Sequence, residues 1–141
     1  MADTTSLLLL GQQLKHRYGA LCRDVEAVYG LTRNEIDVLL FLANNPGYDT
    51  ARDVVELRGL SKSHVCKSVD ALTRRGWLEG TQDPRDRRCI HLRLLPAAGE
   101  AVEAARQVQA QFLARLYDGV TDEERAMLGG ILAKIADNLR R

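Results

Sequence analysis

Residues 50–95 read TARDVVELRGLSKSHVCKSVDALTRRGWLEGTQDPRDRRCIHLRLL. Thr50 is an N-cap residue before a short helical segment carrying Val54, Val55 and Leu57, and Gly59 is placed to close that segment. Ser61 offers a second N-cap two residues later, and the helix it opens runs to about Arg75, with Gly76 ending it. Two short helices joined by a tight glycine-containing turn are the helix-turn-helix signature, in which the second helix lies in the DNA major groove. Projected at 100° per residue, Val65, Val69 and Leu72 share a packing face. Ser63, Lys67, Asp70 and Arg74 fall opposite, with His64 beside them and Cys66 on the flank. Taken alone, that outer face fits a solvated amphipathic helix as well as one that reads bases. After Gly76 the apolar period shortens. Residues 77–81 and 89–95, in which Ile90, Leu92 and Leu94 alternate with His91 and Arg93, read as two strands of a hairpin. The connection from Gln82 to Arg88 is a polar turn containing Pro84, Asp83 and Asp86.

On both sides of this segment the pattern is helical. Upstream, Leu7, Leu10, Leu14, Tyr18, Leu21, Val25 and Val28 step by three or four residues to draw one stripe, which Gly30 ends. Thr32 and Glu35 have capping-box spacing, Ile36, Leu39, Leu40 and Ala43 form the next stripe, and Asn44-Asn45-Pro46-Gly47 stops it. Downstream, Pro96 opens a long helix to about Tyr117 with Ala101, Ala105, Val108, Phe112 and Leu116 on one face. Gly119 breaks that helix, Thr121 and Glu124 repeat the capping box, and Leu128, Ile131, Leu132, Ile135 and Leu139 mark a last one. The expected fold is mainly α with one small β-hairpin (α+β), in the order α-α-α-α-β-β-α-α. At 141 residues the chain is expected to be a single unit, residues 1–141, without repeat or flexible linker. An apolar fraction of 45% with 28% charged residues suits a globular chain, and 5% aromatics imply a core of aliphatic side chains.

The net charge of +1 conceals a strong asymmetry. From Arg58 to Arg93 the chain carries a local charge of +5, and the remainder carries −4. A basic middle with acidic flanks is what a nucleic-acid-facing segment on a soluble scaffold presents. Other classes lack their signatures. The longest apolar run, Leu7 to Leu10, is far short of the roughly 20 residues that span a bilayer, and no signal peptide is expected. Three Cys without an export signal predict free thiols and a cytoplasmic protein. His16, His64 and His91 are scattered and pair with no Cys at ligand spacing, so neither a metal nor any other cofactor is expected. Gly-x-Ser-x-Gly, a Gly-rich phosphate loop and His-Glu-x-x-His are all absent, which argues against an enzyme.

The hairpin tip is the most specific feature. Arg85, Arg87 and Arg88 lie within four residues, separated by Asp86, on a tip with little apolar surface to bury. Three guanidiniums there repel one another unless an anion is near, and phosphate or the narrow minor groove is the natural counter-charge. Asp86 is expected to accept from one Arg and fix its direction. In the second helix Lys67 can reach guanine O6/N7 or a phosphate, and Ser63 and His64 are short enough for base edges or backbone. The expected DNA-binding set is therefore Ser61, Ser63, His64, Lys67, Arg74, Arg85, Asp86, Arg87 and Arg88.

At these residues the chain resembles the MarR (multiple antibiotic resistance regulator) family of winged helix-turn-helix transcription factors. Leu31-Thr32 opens the second helix as the family's Leu-Thr does. Ser61 to Gly76 followed by Trp77-Leu78 is similar to its recognition helix and first wing strand. Asp83-Pro84-Arg85-Asp86-Arg87-Arg88 resembles its wing signature, where Asp-x-Arg is the most specific element. The resemblance implies that Arg88 enters the minor groove, that Asp86 orients it, and that Lys67 stands where a base-reading basic residue belongs. It also implies a winged DNA-binding lobe over residues 31–95 and dimerisation helices over 1–30 and 96–141. One departure is visible: the family's Leu-Thr-Pro-x-Gly is here Leu94-Leu95-Pro96-Ala97-Ala98-Gly99. Without the Thr N-cap, the start of the fifth helix is expected to shift or fray.

A homodimer is expected from the stripes as well. Those on the first and last helices lie outside the winged core and would leave a large apolar patch on a monomer. Packed against a second copy, they would set two recognition helices about one DNA turn apart, near 34 Å, to read a pseudo-palindrome. The resemblance further implies a repressor that releases double-stranded DNA when a small phenolic or anionic effector binds. Arg17, Tyr18, Arg23, Tyr29 and Phe41 are the candidate pocket residues. A thiol switch is the alternative: Cys66 and Cys89 lie among Lys67, Arg87 and Arg88, whose charges would lower a thiol pKa. A winged-helix module that binds protein is the other, although it would have no need of three arginines at the hairpin tip.

Overall fold

The computed structural model describes residues 2–141. Its elements are α1 (Asp3–Tyr29), α2 (Arg33–Asn44), α3 (Ala51–Arg58), α4 (Lys62–Arg74), β1 (Leu78–Gln82), β2 (Ile90–Leu94), a 3₁₀ turn (Pro96–Ala98), α5 (Gly99–Leu116) and α6 (Asp122–Leu139). The order is the one expected from the sequence. The chain divides into two units, the first running to Gln109 and the second Ala110–Arg141.

In the first unit α2 is the central element. Every residue from Glu35 to Leu42 is buried, and the helix packs against α1, α3, α4 and β2. Burial on all sides demands that its two acids be satisfied. The Glu35 carboxylate accepts the Thr32 N–H at 3.0 Å while Thr32 Oγ1 accepts the Glu35 N–H at 3.2 Å, the capping box expected there. Asp37 lies 3.2 Å from Arg33 Nε and 3.4 Å from an Arg58 guanidinium nitrogen. Thr50 and Asp53 build a second capping box at α3, and Gly59, at φ 76°, turns the chain into α4. That left-handed conformation is why a glycine closes the helix-turn-helix corner.

α4 buries Val65, Ser68 and Leu72. Val69, expected on the same packing face, is half-buried and packs against the core. The i, i+3, i+7 row carries the contact, and a small hydroxyl residue lets α4 approach closely. On α3 only Val54 is buried, and Leu57 is exposed. The α1 stripe divides: Val25 and neighbouring Cys22 enter the core, Leu14, Tyr18 and Leu21 are half-buried, and Leu7, Leu10 and Val28 are exposed. Ala98, Ala101, Val102 and Ala105 join the same core, which therefore extends beyond residues 31–95.

β1 and β2 pair antiparallel, with Leu78 opposite Leu94, Gly80 opposite Leu92 and Gln82 opposite Ile90. Leu78 and Leu92 are buried, whereas Ile90 toward the tip is exposed, so the hairpin leaves the core as it advances. An isolated bridge between Thr50 and His91, with the Leu92 N–H donating to Asp49 O at 2.7 Å, ties β2 to the chain entering α3. At the far end of β2, Leu95 stands at the N-cap without a side-chain bond and a 3₁₀ turn precedes α5. This is the shift expected from the missing Thr. In the second unit Thr121 and Glu124 cap α6, Arg125 lies over the Tyr117 ring at 4.2 Å, and no residue of α6 is buried. Leu72, fully buried where α4 meets the core, gives a direct test: Leu72→Ala is expected to destabilise the protein by about 2–5 kcal/mol in urea unfolding.

Candidate nucleic-acid interface

The N-terminus of α4 is built by Ser61, whose Oγ accepts the His64 N–H at 3.2 Å. Ser61 thus holds the helix start, and Ser63, His64 and Lys67 are exposed beyond it. The first turn contains no acid, unlike those of α2, α3 and α6. Its N–H groups and the positive end of the helix dipole therefore face solvent uncompensated by a carboxylate. Arg74 reaches Asp70 at 3.6 Å, both exposed. Arg75, not singled out from the sequence, donates to the carbonyls of Tyr29 at 2.7 Å and Gly30 at 3.0 Å and stacks over Trp77 at 4.0 Å. It locks the end of α4 onto the end of α1.

The hairpin tip is organised by its acids acting on its own backbone. Asp83 Oδ1 accepts the N–H of Arg85 at 2.7 Å and of Asp86 at 3.1 Å, and Asp86 Oδ1 accepts that of Arg88 at 3.0 Å. Gln82 Nε2 donates to Arg87 O at 2.9 Å, and the Cys89 N–H to Asp86 O at 3.0 Å. The expectation that Asp86 steers the Arg88 guanidinium is corrected: its contact is with the Arg88 amide, because an Asx side chain naturally reaches an N–H two residues on. As a result one oxygen of each acid is engaged by the turn's own backbone. Arg85, Arg87 and Arg88 are exposed, and among the described residues no carboxylate pairs with them.

His91 holds this tip to the helix-turn-helix. Its Nδ1 lies 2.7 Å from Asp49 Oδ1 and its Nε2 2.7 Å from Asp83 Oδ2. Two carboxylates on one ring favour the imidazolium, and its pKa is pushed up to about 9, by Asp49 first and Asp83 next. Asp83 is held below the usual carboxylate range, chiefly by His91 and then by the amides of Arg85 and Asp86. The sequence reading passed over His91 because nothing in its spacing announced that Asp49, 42 residues away, would meet it. The alternation in β2 and the turn acids were the available clues.

The thiol candidates fare differently. Cys66 is exposed on α4 and Cys89 is half-buried beside the tip. The cationic setting expected to activate Cys89 is not what surrounds it. Partial burial, followed by Asp83, Asp86, Asp49 and Asp53, pushes its thiol up. A weakened thiolate is the opposite of what a reactive sensor needs. The scattered histidines also need correction. Folding gathers Asp83, Cys89 and His91, with one ligand atom from each lying within 4.8 Å of the others.

The five expected pocket residues differ in burial. Arg17 and Arg23 are exposed, Tyr29 is half-buried, and Phe41 belongs to the core. The Tyr18 hydroxyl accepts from Gln109 at 3.0 Å, the Arg33 guanidinium lies 4.4 Å above its ring, and burial pushes the phenol up. None of the five lines a recess of about 390 Å³ formed by Leu42, Leu92, Leu95 and Val102, with Asp49, Arg93 and Arg106 as its charged lining. There Arg106 donates to Asn44 Oδ1 at 3.2 Å and Ala43 O at 2.8 Å, and Arg93 pairs with Glu79 across the hairpin.

A helix-turn-helix followed by a two-stranded hairpin with a basic tip defines a winged helix-turn-helix protein. Residues 29–88 match the model of the MarR family. The transcriptional repressor MprA of Escherichia coli is 30% identical over 81 residues, 57% of this chain and 46% of that relative, so the match spans less than half of MprA. Among solved structures, transcriptional regulator PA3341 is 25% identical with a TM-score of 0.81, covering 94% of this chain and 96% of its own. The PcaV transcriptional regulator of Streptomyces coelicolor, determined in complex with its natural ligand, is 26% identical with a TM-score of 0.67 over 91% and 89%. The chain is thus similar to MarR-family transcriptional regulators, through a family match to residues 29–88 and a likeness to PA3341 over nearly its whole length. None of its described helices is long and apolar enough to cross a membrane.

The His91 pair makes stability depend on pH in a defined direction. Because the folded pKa lies above the ordinary histidine value of 6.5, the contribution is fully present below about 6.5 and is lost as pH rises through about 9. In metal-free buffer the urea midpoint of the wild type is expected to fall more steeply across that window than that of His91→Gln. Equal slopes would show that the imidazolium pair contributes nothing.

Proposed function

We propose that the protein is a homodimeric repressor that binds a pseudo-palindromic operator in double-stranded DNA and releases it on binding a small anionic or phenolic molecule. The observation that carries the DNA-binding part is the tip: three exposed arginines on a turn whose own carboxylates are engaged by backbone amides. In this reading Arg88 enters the minor groove, Arg85 and Arg87 meet phosphates, and Ser63, His64 and Lys67 face the major groove from the acid-free end of α4. Ser61 acts by holding that end in place, and Asp86 acts by shaping the turn. Arg74 adds a backbone contact once Asp70 is exchanged for phosphate.

The dimer reading rests on exposed apolar surface. Leu7 to Leu10 on α1 and Met127, Leu128, Ile131, Leu132 and Ile135 on α6 are all more than a third exposed. A second copy of the chain is the partner whose matching helices would bury these faces isologously. The effector reading is supported by the ligand complex of PcaV and by the recess here. Asp49 lines that recess and also holds His91, so a ligand that draws on Asp49 would loosen the hairpin base. The cationic side chains Arg93 and Arg106 favour an anionic molecule. Arg17, Tyr18, Arg23, Tyr29 and Phe41 are kept as candidate contacts in the dimer, where α1 would have a second neighbour.

Genomic fragments selected by the purified protein supply the operator for two tests. With roughly 6–10 phosphate contacts, affinity should drop by about 10³–10⁵ between 50 and 200 mM salt. Arg88→Ala should weaken binding to all sequences with a salt slope shallower by about one, and Lys67→Ala should in addition relax sequence preference. A salt-flat affinity would favour a protein-binding module, and an unchanged affinity for Arg88→Ala would overturn the assignment of the hairpin. For the dimer, sedimentation of Ile131→Glu should give the monomer mass. A dimer that survives the substitution would move the interface away from α6.

A further inference from the structure

At the base of the hairpin the fold gathers three metal-ligating side chains of different chemistry. The register continues past Gln82 opposite Ile90 to place Asp83 opposite Cys89, a pairing secured by the Asp83 N–H donating to Cys89 O at 2.9 Å. Cys89 and His91 are two residues apart along one strand direction, so both point to the same side of the hairpin as Asp83. One Asp83 carboxylate oxygen, Cys89 Sγ and a His91 ring nitrogen lie within 4.8 Å of one another, and all three residues are half-buried.

A second feature of the site is independent of those distances. His91 Nδ1 is bonded to Asp49 Oδ1 at 2.7 Å, and Nε2 is the nitrogen turned toward Asp83. A histidine that binds a metal through one nitrogen while giving the other N–H to a carboxylate is the usual arrangement around zinc, and it fixes both ring orientation and tautomer. Asp83 is divided in the same way. Its Oδ1 is occupied by the amides of Arg85 and Asp86, and Oδ2 is the atom facing His91. An ion could therefore replace the proton shared by Oδ2 and Nε2 without undoing the turn.

We propose that Asp83, Cys89 and His91 form a site for a divalent cation of the zinc class, with Asp49 as the carboxylate that positions the His91 ring. One carboxylate oxygen, one thiolate and one imidazole suit a borderline-soft ion and not magnesium or calcium, which take oxygen ligands. Ligands on a tetrahedral zinc stand roughly 3.3–3.6 Å apart, given bonds of about 2.0–2.3 Å. The 2.7 Å Asp83–His91 contact thus opens slightly to admit the ion, while Cys89 Sγ already lies within 4.8 Å of both partners. Binding releases the Nε2 proton of the imidazolium and the S–H proton of Cys89 to solvent, while the proton on Nδ1 stays on the ring and donates to Asp49. The fourth position is open to water. The ion would tie both hairpin strands to the chain entering α3, and the inference stands apart from the operator and effector readings above.

Cobalt(II) titration of the full-length, metal-free protein with a non-thiol reductant tests the site. The wild type should develop the visible bands of tetrahedral cobalt with a thiolate-to-cobalt charge-transfer band, and zinc should bleach both. Cys89→Ser and Cys89→Ala should each lose the charge-transfer band, whereas Cys66→Ser should keep it. Asp49→Asn should keep the band with affinity lowered roughly 10–100-fold. Absence of the bands in the wild type, or a charge-transfer band that survives both Cys89 substitutions, would overturn the site. Undiminished affinity in Asp49→Asn would overturn the positioning role of that carboxylate.

Discussion

The imidazolium of His91 between Asp49 and Asp83 is the constraint on which the rest of the hairpin depends. A two-stranded ribbon is marginal by itself, and here it loses core contact toward its tip, where Ile90 is exposed. What fixes its direction is a positive ring between two acids, one from the chain entering α3 and one from its own turn. The Thr50–His91 bridge and the Leu92 bond to Asp49 O reinforce the same junction. Helix-turn-helix and hairpin are thereby positioned relative to each other by polar contacts that cross a short distance in space and a long one in sequence.

The acids of the tip show how a basic protrusion can stay basic. Asp83 and Asp86 are close enough in sequence to neutralise Arg85, Arg87 and Arg88, yet their oxygens accept backbone amides. The three guanidiniums are left to external anions, and the turn is stiffened by the residues that would otherwise have masked it. α4 follows the same economy: Ser61 caps it without adding charge, and the first turn carries no acid. Both features have the character of a surface prepared for phosphate.

Much of this architecture was legible in the sequence because local rules govern it. The capping boxes at Thr32 and Thr121, the cap at Ser61, the left-handed Gly59 and Gly76, and the change of period after Gly76 all act within a few residues. The missing Thr before Pro96 correctly anticipated a displaced start for α5. Burial depends on neighbours, which the pattern alone does not show: Cys22 and Ser68 are buried although neither was expected inside. The site shows the same division. Arg85, Arg87 and Arg88 were visible as a cluster. By contrast, the roles of Asp49, Arg75 and His91 depend on contacts between residues 42 to 46 positions apart, for which no sequence rule gives a signal.

The charge state of His91 tests the central claim most directly. In long-range proton–nitrogen NMR spectra of the metal-free protein at neutral pH, both ring nitrogens should carry protons in hydrogen bonds. They should titrate to the neutral form with a midpoint near 9, the value to which the two acids raise the ring. A neutral imidazole at pH 7, or an ordinary midpoint near 6.5, would mean that the two carboxylates do not grip the ring and that the hairpin is held some other way.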